Sequence, residues 1–220
     1  MSNDKDVTGG TSHLTQMLGS VEFTEFPKMA RLSREIIVTE KLDGTNAQVL
    51  ITEDGRIVAG SRTRWITPQD DNFGFAAWVE ANKDELLNLG VGRHFGEWWG
   101  MGIQRKYGMT ERKFSLFNVQ RWVKHGSEPK QIPTGDSRII KMQDVLPACC
   151  DLVPVLYRGD FDTNRINECL DNLREFGSYA SEGFMKPEGV VVFHTAGNVG
   201  FKKTLEKDEL PKSVAKKQAV

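Results

Sequence analysis

Short runs of alternating apolar and polar residues dominate this chain, and two longer segments carry the 3.6-residue spacing of an amphipathic helix. A β-branched run, Glu35-Ile36-Ile37-Val38, leads into Glu40-Lys41-Leu42-Asp43-Gly44, and Asn46-Ala47-Gln48-Val49-Leu50-Ile51 leads out. Lys41 is therefore expected at a strand–turn–strand junction. Asp54-Gly55 predicts a hairpin turn into Arg56-Ile57-Val58-Ala59-Gly60. The spacing of Phe75, Trp78, Val79, Leu86 and Leu89 predicts a helix over 73–89, capped by Asp71-Asn72. His94 to Trp99 and Lys113 to Val119 read as further strands, and the Gly/Pro/Ser-rich stretch 124–136 as a surface loop. Ile166 to Phe176 reads as a second helix, stopped by Gly177. Gly189 to His194 reads as a buried strand that Thr195-Ala196-Gly197-Asn198 turns into Val199 to Lys202. The expected class is α+β, with antiparallel sheets flanked by helices.

Length and charge narrow this picture. The 220 residues suit one large domain. Its expected limits are 21–205, after a polar, loose leader at 1–20 and before a basic, disordered tail at 206–220. Twenty-nine Lys+Arg against thirty Asp+Glu leave a net charge of −1, so no global positive field draws a polyanion. Local patches must do so instead. Candidates are 101–125, where Arg105, Lys106, Arg112, Lys113, Arg121 and Lys124 face only Glu111, and the lysine-rich stretch after Phe201. Three cysteines match no metal spacing and make a poor disulfide framework, so reduced thiols are expected. No secretion signal is visible and no apolar run approaches the ~18 residues of a membrane span. The reading is a soluble, cytoplasmic monomer.

The chemistry centres on Lys41. A lysine amine is protonated at neutral pH and attacks poorly unless desolvation or neighbouring cations free it. Seen alone, Lys41 is a hairpin surface residue. Four further elements follow it in order: Gly60-Ser61-Arg62, Gly96-Glu97-Trp98-Trp99-Gly100, Phe114-Ser115-Leu116-Phe117-Asn118-Val119, and Glu188-Gly189-Val190-Val191 with Lys202-Lys203 closing the next strand.

With K-x-D-G, this series resembles the covalent nucleotidyltransferase superfamily of ATP-dependent ligases and mRNA capping enzymes. It is most similar to phage-type RNA ligases of the RNA ligase 2 class, in which an acid directly precedes the lysine, as Glu40 does. The Gly102-Ile103-Gln104-Arg105 run adds to the likeness, which spans roughly residues 22–204. The resemblance implies the nucleotidyltransferase (ATP-grasp-like) ligase fold and an RNA-repair activity using ATP and Mg2+ or Mn2+. Lys41 would attack the α-phosphate to form lysyl-AMP, pass AMP to a 5′-phosphate, and seal that end to a 3′-hydroxyl. RNA ends are the implied partner, with DNA ends open.

The same likeness implies the other roles. Glu188 would engage the metal, and Lys202 or Lys203 the α-phosphate. Glu97 would accept from the ribose, Phe117 would stack on adenine, and Arg62 would contact the nucleotide or the reacting end. Glu40 resembles an adenine-side contact, Asp43 a metal or orienting group, and Asn46 a position that handles the nucleic-acid end. Strand alternation puts Phe114 in the core if Phe117 stacks. The family has lysine–any–lysine where this chain has adjacent Lys202 and Lys203, which point oppositely on a regular strand; Lys202 is preferred for the phosphate. Sixteen residues follow Thr204, so a catalytic domain without a C-terminal appendage is expected. Alternatives are a DNA ligase, a capping-type guanylyltransferase, and a non-catalytic module that binds nucleotide or RNA ends.

Overall fold

The computed structural model describes residues 21–133, 140–206 and 208. Two compact units divide the chain, Met1–Ala30 and Arg31–Val220. In the first, residues 21–30 are exposed and form no helix or strand. The expected leader at 1–20 and most of the expected tail lie outside the described residues.

The second unit is built on two sheets. The smaller contains β1 (Glu35–Glu40), β12 (Val155–Asp160), β13 (Gly189–His194) and β14 (Val199–Thr204), in the order β12-β1-β13-β14, all antiparallel. The larger contains β2 (Thr45–Ile51), β3 (Ile57–Ser61), β4 (Trp65–Ile66), β5 (Gly92–Gly100), β6 (Arg112–Leu116) and β11 (Asp151–Leu152). Its order is β11-β6-β5-β2-β3-β4, antiparallel except for the short parallel pairing of β11 with β6. Two small pairs complete the strands: β7 (Trp122–Val123) with β10 (Asp144–Val145), and β8 (Gln131–Pro133) with β9 (Ile140–Met142).

Each sheet buries one face under helix. Helix α1 (Phe75–Ala81) and the short α2 (Lys83–Leu86) cover the larger sheet, where Phe75, Val79 and Leu86 pack against Val49, Trp98 and Phe114. The expected single helix is broken at Asn82, which forms the C-cap of one helix and the N-cap of the next. Asp71 does act at its start, since its carboxylate accepts from the N–H groups of Ala76 and Ala77 at 2.8 and 3.0 Å. On the smaller sheet, α3 (Thr163–Phe176) lays Ile166, Cys169, Leu170 and Leu173 over Ile36, Val38, Val190 and Val192. The Asp162 side chain caps it through Asn164 N–H at 2.8 Å, and Gly177 ends it with φ 80°. Leu173 is fully buried, so truncation to Ala there should cost about 2–5 kcal/mol.

The segment 41–44 corrects the hairpin reading of the Lys41 turn. β1 and β2 lie in different sheets, so Lys41 to Gly44 is the crossing between them. Leu42 anchors the crossing in a third cluster with Trp99, Tyr107 and Val153. At Gly44 any side chain would collide with the Trp98 carbonyl and the Trp99 Cβ. The glycine of K-x-D-G is thus demanded by the close passage of the crossing against β5 of the larger sheet.

Candidate active site

The faces of the sheets that carry no helix enclose a cleft of about 960 Å³, lined by Ile37, Thr39 and Val191 on one side and Asn46, Phe95 and Phe117 on the other. Lys41 stands at its floor, where the chain crosses between sheets. The Lys41 backbone N–H donates to Gly189 O at 2.8 Å, and its Nζ lies 2.6 Å from Glu188 Oε2. This docks the start of β13 on the crossing. The Glu188 side chain is 3% exposed and that of Lys41 19%, so little water screens the ion pair.

Glu97 lies behind the lysine. It sits on β5 opposite Asn46 and Ser115, and its carboxylate accepts from Gly44 N–H and Asn46 Nδ2, both at 3.0 Å. Burial pushes its pKa up to about 7, against the opposing pull of the Lys41 charge and the Gly44 N–H. The negative charges of Glu188 and Asp43 push it the same way as burial.

Two further carboxylates flank the lysine, each gripped by a different loop. Glu40 is 1% exposed and accepts from Ser178 Oγ at 2.6 Å, Tyr179 N at 2.8 Å and Ala180 N at 3.1 Å. Burial raises its pKa, and those three hydrogen bonds oppose the rise. The adenine-side role expected of Glu40 thus meets a carboxylate already engaged by the segment after α3. Asp43 accepts from Arg105 Nε at 3.1 Å, and its backbone N–H donates to the Tyr107 hydroxyl at 2.8 Å. Arg105 also donates through Nη1 to Lys186 O at 2.8 Å. It therefore ties the lysine crossing to the segment that delivers Glu188.

Sequence reasoning counted Arg105 only in a basic patch and in the run that carries the family likeness, and singled out neither Tyr107 nor Ser178. The turn that carries the first two is costly: Gln104, Lys106 and Tyr107 have φ of 43°, 60° and 51°, each left-handed non-glycine costing on the order of 1 kcal/mol or more. A sequence signal existed in the Gly102-Ile103-Gln104-Arg105 run, but nothing in it shows a side chain reaching across to Asp43. The rest of the 101–125 patch is largely engaged within the molecule. Arg112 donates to Met101 O and Phe73 O, Arg121 pairs with Asp144, and Lys113 and Lys124 pair with Asp151.

Of the residues singled out from sequence, Glu40, Lys41, Asn46, Arg62, Glu97, Phe117 and Lys202 meet in or around this cleft, with Glu188 on Lys41. Phe117 is 42% exposed and Phe114 fully buried. Lys202 pairs with Val191 on the cleft face of β14, whereas Lys203 pairs with the core residue Val190. Lys203 Nζ donates to Asn167 Oδ1 on α3 at 2.9 Å, on the side away from the cleft. Trp98 and Trp99 are buried and bond Phe73 O and Ser115 Oγ. His94 and His194 are buried on backbone carbonyls.

Among the described residues no three His, Cys, Asp or Glu side chains form a cage for a metal ion. A divalent ion that arrives on a nucleotide's phosphates needs only one or two protein carboxylates, and Glu188 supplies such a hard oxygen donor beside Lys41. No helix in the described residues is long and apolar enough to cross a membrane.

A family model described as RNA ligase matches residues 34–208. Among solved structures, the chain is similar to Naegleria gruberi RNA ligase in an apo mutant form, with 20% identity, a TM-score of 0.51, and coverage of 78% of this chain and 50% of that one. A mutant of the Naegleria gruberi RNA ligase with AMP and Mn gives 18% identity and a TM-score of 0.51 over 79% of this chain and 50% of that one. A further mutant with ATP and Mn gives 18% and 0.50 over 86% and 53%. The likeness establishes the α+β fold. This chain spans about half the length of the structures it matches.

Proposed function

The chain belongs to the RNA ligase family, and from that premise we propose that it is an ATP-dependent RNA ligase working through a covalent lysyl-AMP. The observation that carries this reading is the placement of Lys41 Nζ, 2.6 Å from Glu188 at the floor of a nucleotide-sized cleft. In the first step the Lys41 amine forms a bond to the α-phosphorus of ATP and the bond to pyrophosphate breaks. The AMP then passes to the 5′-phosphate of an RNA end, and a 3′-hydroxyl displaces it as the strand is sealed.

The remaining residues divide the work by position. Phe117 and Val191 both line the cleft, and Phe117 suits one face of an adenine ring. Glu97 suits the ribose hydroxyls as an acceptor. Lys202, on the cleft face of β14, suits the α-phosphate oxygens, where fixed cations stabilise the charge that develops at phosphorus. Arg62 suits the nucleotide or the reacting end, and Asn46 steadies Glu97. The ion pair with Glu188 holds the Lys41 amine in place, and attack requires that pair to open. A divalent ion bound by ATP and Glu188 would neutralise phosphate charge. Structures of the Naegleria RNA ligase with AMP or ATP and Mn support the choice of nucleotide and ion. We place the activity in the cytoplasm, on RNA ends as partner.

Incubation with α-labelled ATP and Mg2+, followed by denaturing electrophoresis, tests the first step, and sealing of a nicked RNA duplex tests the rest. Sealing of DNA nicks alone would move the assignment to DNA ligase. A GTP preference would indicate a capping-type guanylyltransferase.

A further inference from the structure

The open face of the larger sheet continues outward from the cleft as a row of side chains to which the reading above gives no role. Register places Phe95, Gln48, Gly60 and Trp65 side by side across β5, β2, β3 and β4. Directly opposed residues share a face, and Arg93, two residues before Phe95, shares it as well. Three strand spacings of about 4.8 Å make this row roughly 14 Å long, room for more than one nucleotide.

The row is preorganised. A side chain at Gly60 would press on Gln48 Cγ and Trp65 Cε3 at 2.8 and 3.0 Å, so the missing Cβ lets the Trp65 ring lie against the sheet. The Arg93 guanidinium sits 5.1 Å from the centroid of that ring. Its Nη1 donates to Gln48 Oε1 at 3.2 Å, and Gln48 Nε2 donates to Ser61 O at 3.1 Å. One amide thus fixes Arg93 on one side and the strand end leading to Arg62 on the other. Trp65 and Phe95 are nevertheless 45% and 52% exposed, which leaves part of each ring open to solvent beside the Arg93 contact.

Charge separates this row from its surroundings. Arg64 is paired with both carboxylate oxygens of Asp70. Arg93 and Arg62 pair with no carboxylate among the described residues, and both line the cleft. A held Arg93 and a nearby Arg62, neither on a carboxylate among the described residues, beside exposed rings fit a chain of phosphates and bases: cations track the backbone and aromatics stack the bases. Phe95 also joins the row to the nucleotide pocket, because its carbonyl accepts from Phe117 N–H at 3.0 Å.

We propose that Arg93, Phe95 and Trp65 form the docking strip on which a single-stranded segment of the RNA substrate lies as its end enters the cleft, Arg93 holding a phosphate and the rings stacking bases. This rests on the RNA ligase reading above, and the test keeps the two apart. Binding of a fluorescent 5′-phosphorylated single-stranded RNA by the full chain is measured by anisotropy from low to moderate salt. Lysyl-AMP formation is measured in parallel on the same preparations. The expected result is that Trp65→Ala, outside the cleft lining, weakens RNA binding about tenfold while lysyl-AMP formation stays within about twofold of wild type, and that Arg93→Ala and Phe95→Ala weaken RNA binding by a similar factor. Arg93→Ala also lowers the slope of log K against log salt by about 0.7, the share of one phosphate contact on a single strand. Arg93→Lys, which keeps the charge, restores that slope but not the full affinity. Wild-type RNA affinity and slope in Arg93→Ala, wild-type RNA affinity in Trp65→Ala, or RNA binding and adenylation lost together in Trp65→Ala, overturn the strip. Absence of lysyl-AMP in wild type overturns the ligase reading instead.

Discussion

Lys41 Nζ and Glu188 Oε2 stand 2.6 Å apart although 147 residues separate them in the chain. The contact exists because β13 docks on the crossing between the two sheets, through Lys41 N–H and Gly189 O. It both orients the amine and places a carboxylate where a nucleotide-borne cation would meet it. Glu188→Gln keeps the shape and removes the charge. It should lower the rate of lysyl-AMP formation at least a hundredfold and raise the Mg2+ concentration for half-maximal rate. A Mg2+ titration of single-turnover adenylation checks both effects, and an unchanged half-saturation point would remove Glu188 from the metal.

Lys202 and Lys203 should behave differently despite being adjacent. Lys202→Ala removes a cation from the cleft face and should cost about 10²–10³ in adenylation rate, the scale for losing one donor to developing charge. Lys203→Ala removes a hydrogen bond to Asn167 on the outer face and should stay within about threefold. Adenylation rates of the two variants decide the matter; equal losses would mean that β14 does not hold this register in the working enzyme.

The pH dependence should carry the signature of Glu97. Its pKa is raised from 4.5 to about 7 by burial, so the ionised acceptor that a ribose requires forms only as pH rises through about 7. The kcat/KM for ATP in adenylation, which reports the free enzyme, should therefore climb through that value. Glu97→Gln should lose that inflection along with activity. The sign for stability is opposite: a raised folded pKa means that this group's contribution is full below about 4.5 and lost as pH rises through about 7. Denaturant unfolding at pH 5 and pH 8 should show Glu97→Gln less sensitive to pH than wild type; an identical pH dependence would contradict the assignment.

Arg105 grips the lysine crossing from outside the cleft lining. Its fork spans Asp43 Oδ2 and Lys186 O, two points that a lysine cannot hold together. Arg105→Lys should lower kcat for adenylation about tenfold with KM for ATP within twofold, and Arg105→Ala should lower it further. A rise in KM with kcat unchanged would make Arg105 a direct nucleotide contact instead.

Much of this was legible in residues that act through local pattern. The β-branched run of β1, the Asp54-Gly55 turn, the Gly177 stop and the spacing of Ile166, Cys169, Leu170 and Leu173 are local signals, and each marks the element found. Alternation set Phe114 and Phe117 on opposite faces, with the family likeness choosing Phe117 as the open ring, and set the adjacent lysines on two faces. The illegible parts are long-range. Nothing in Glu40-Lys41-Leu42-Asp43-Gly44 reveals that β1 and β2 join different sheets, because a turn and a crossing use the same residue types. β12 escaped notice because Arg158, Gly159 and Asp160 lack alternation on a half-exposed edge strand. The grips of Arg105 on Asp43 and of Ser178 on Glu40 join side chains 62 and 138 positions apart, and no periodicity encodes such a meeting.

Intact-protein mass spectrometry after incubation with ATP and Mg2+ reads the chemistry of Lys41 itself. Wild type should gain the mass of one AMP, with peptide mapping placing it on Lys41, and Lys41→Ala should gain none. Lys41→Arg keeps the positive charge beside Glu188 and should likewise gain none. An AMP adduct on any other residue, or an adduct that persists in Lys41→Ala, would contradict Lys41 as the nucleophile.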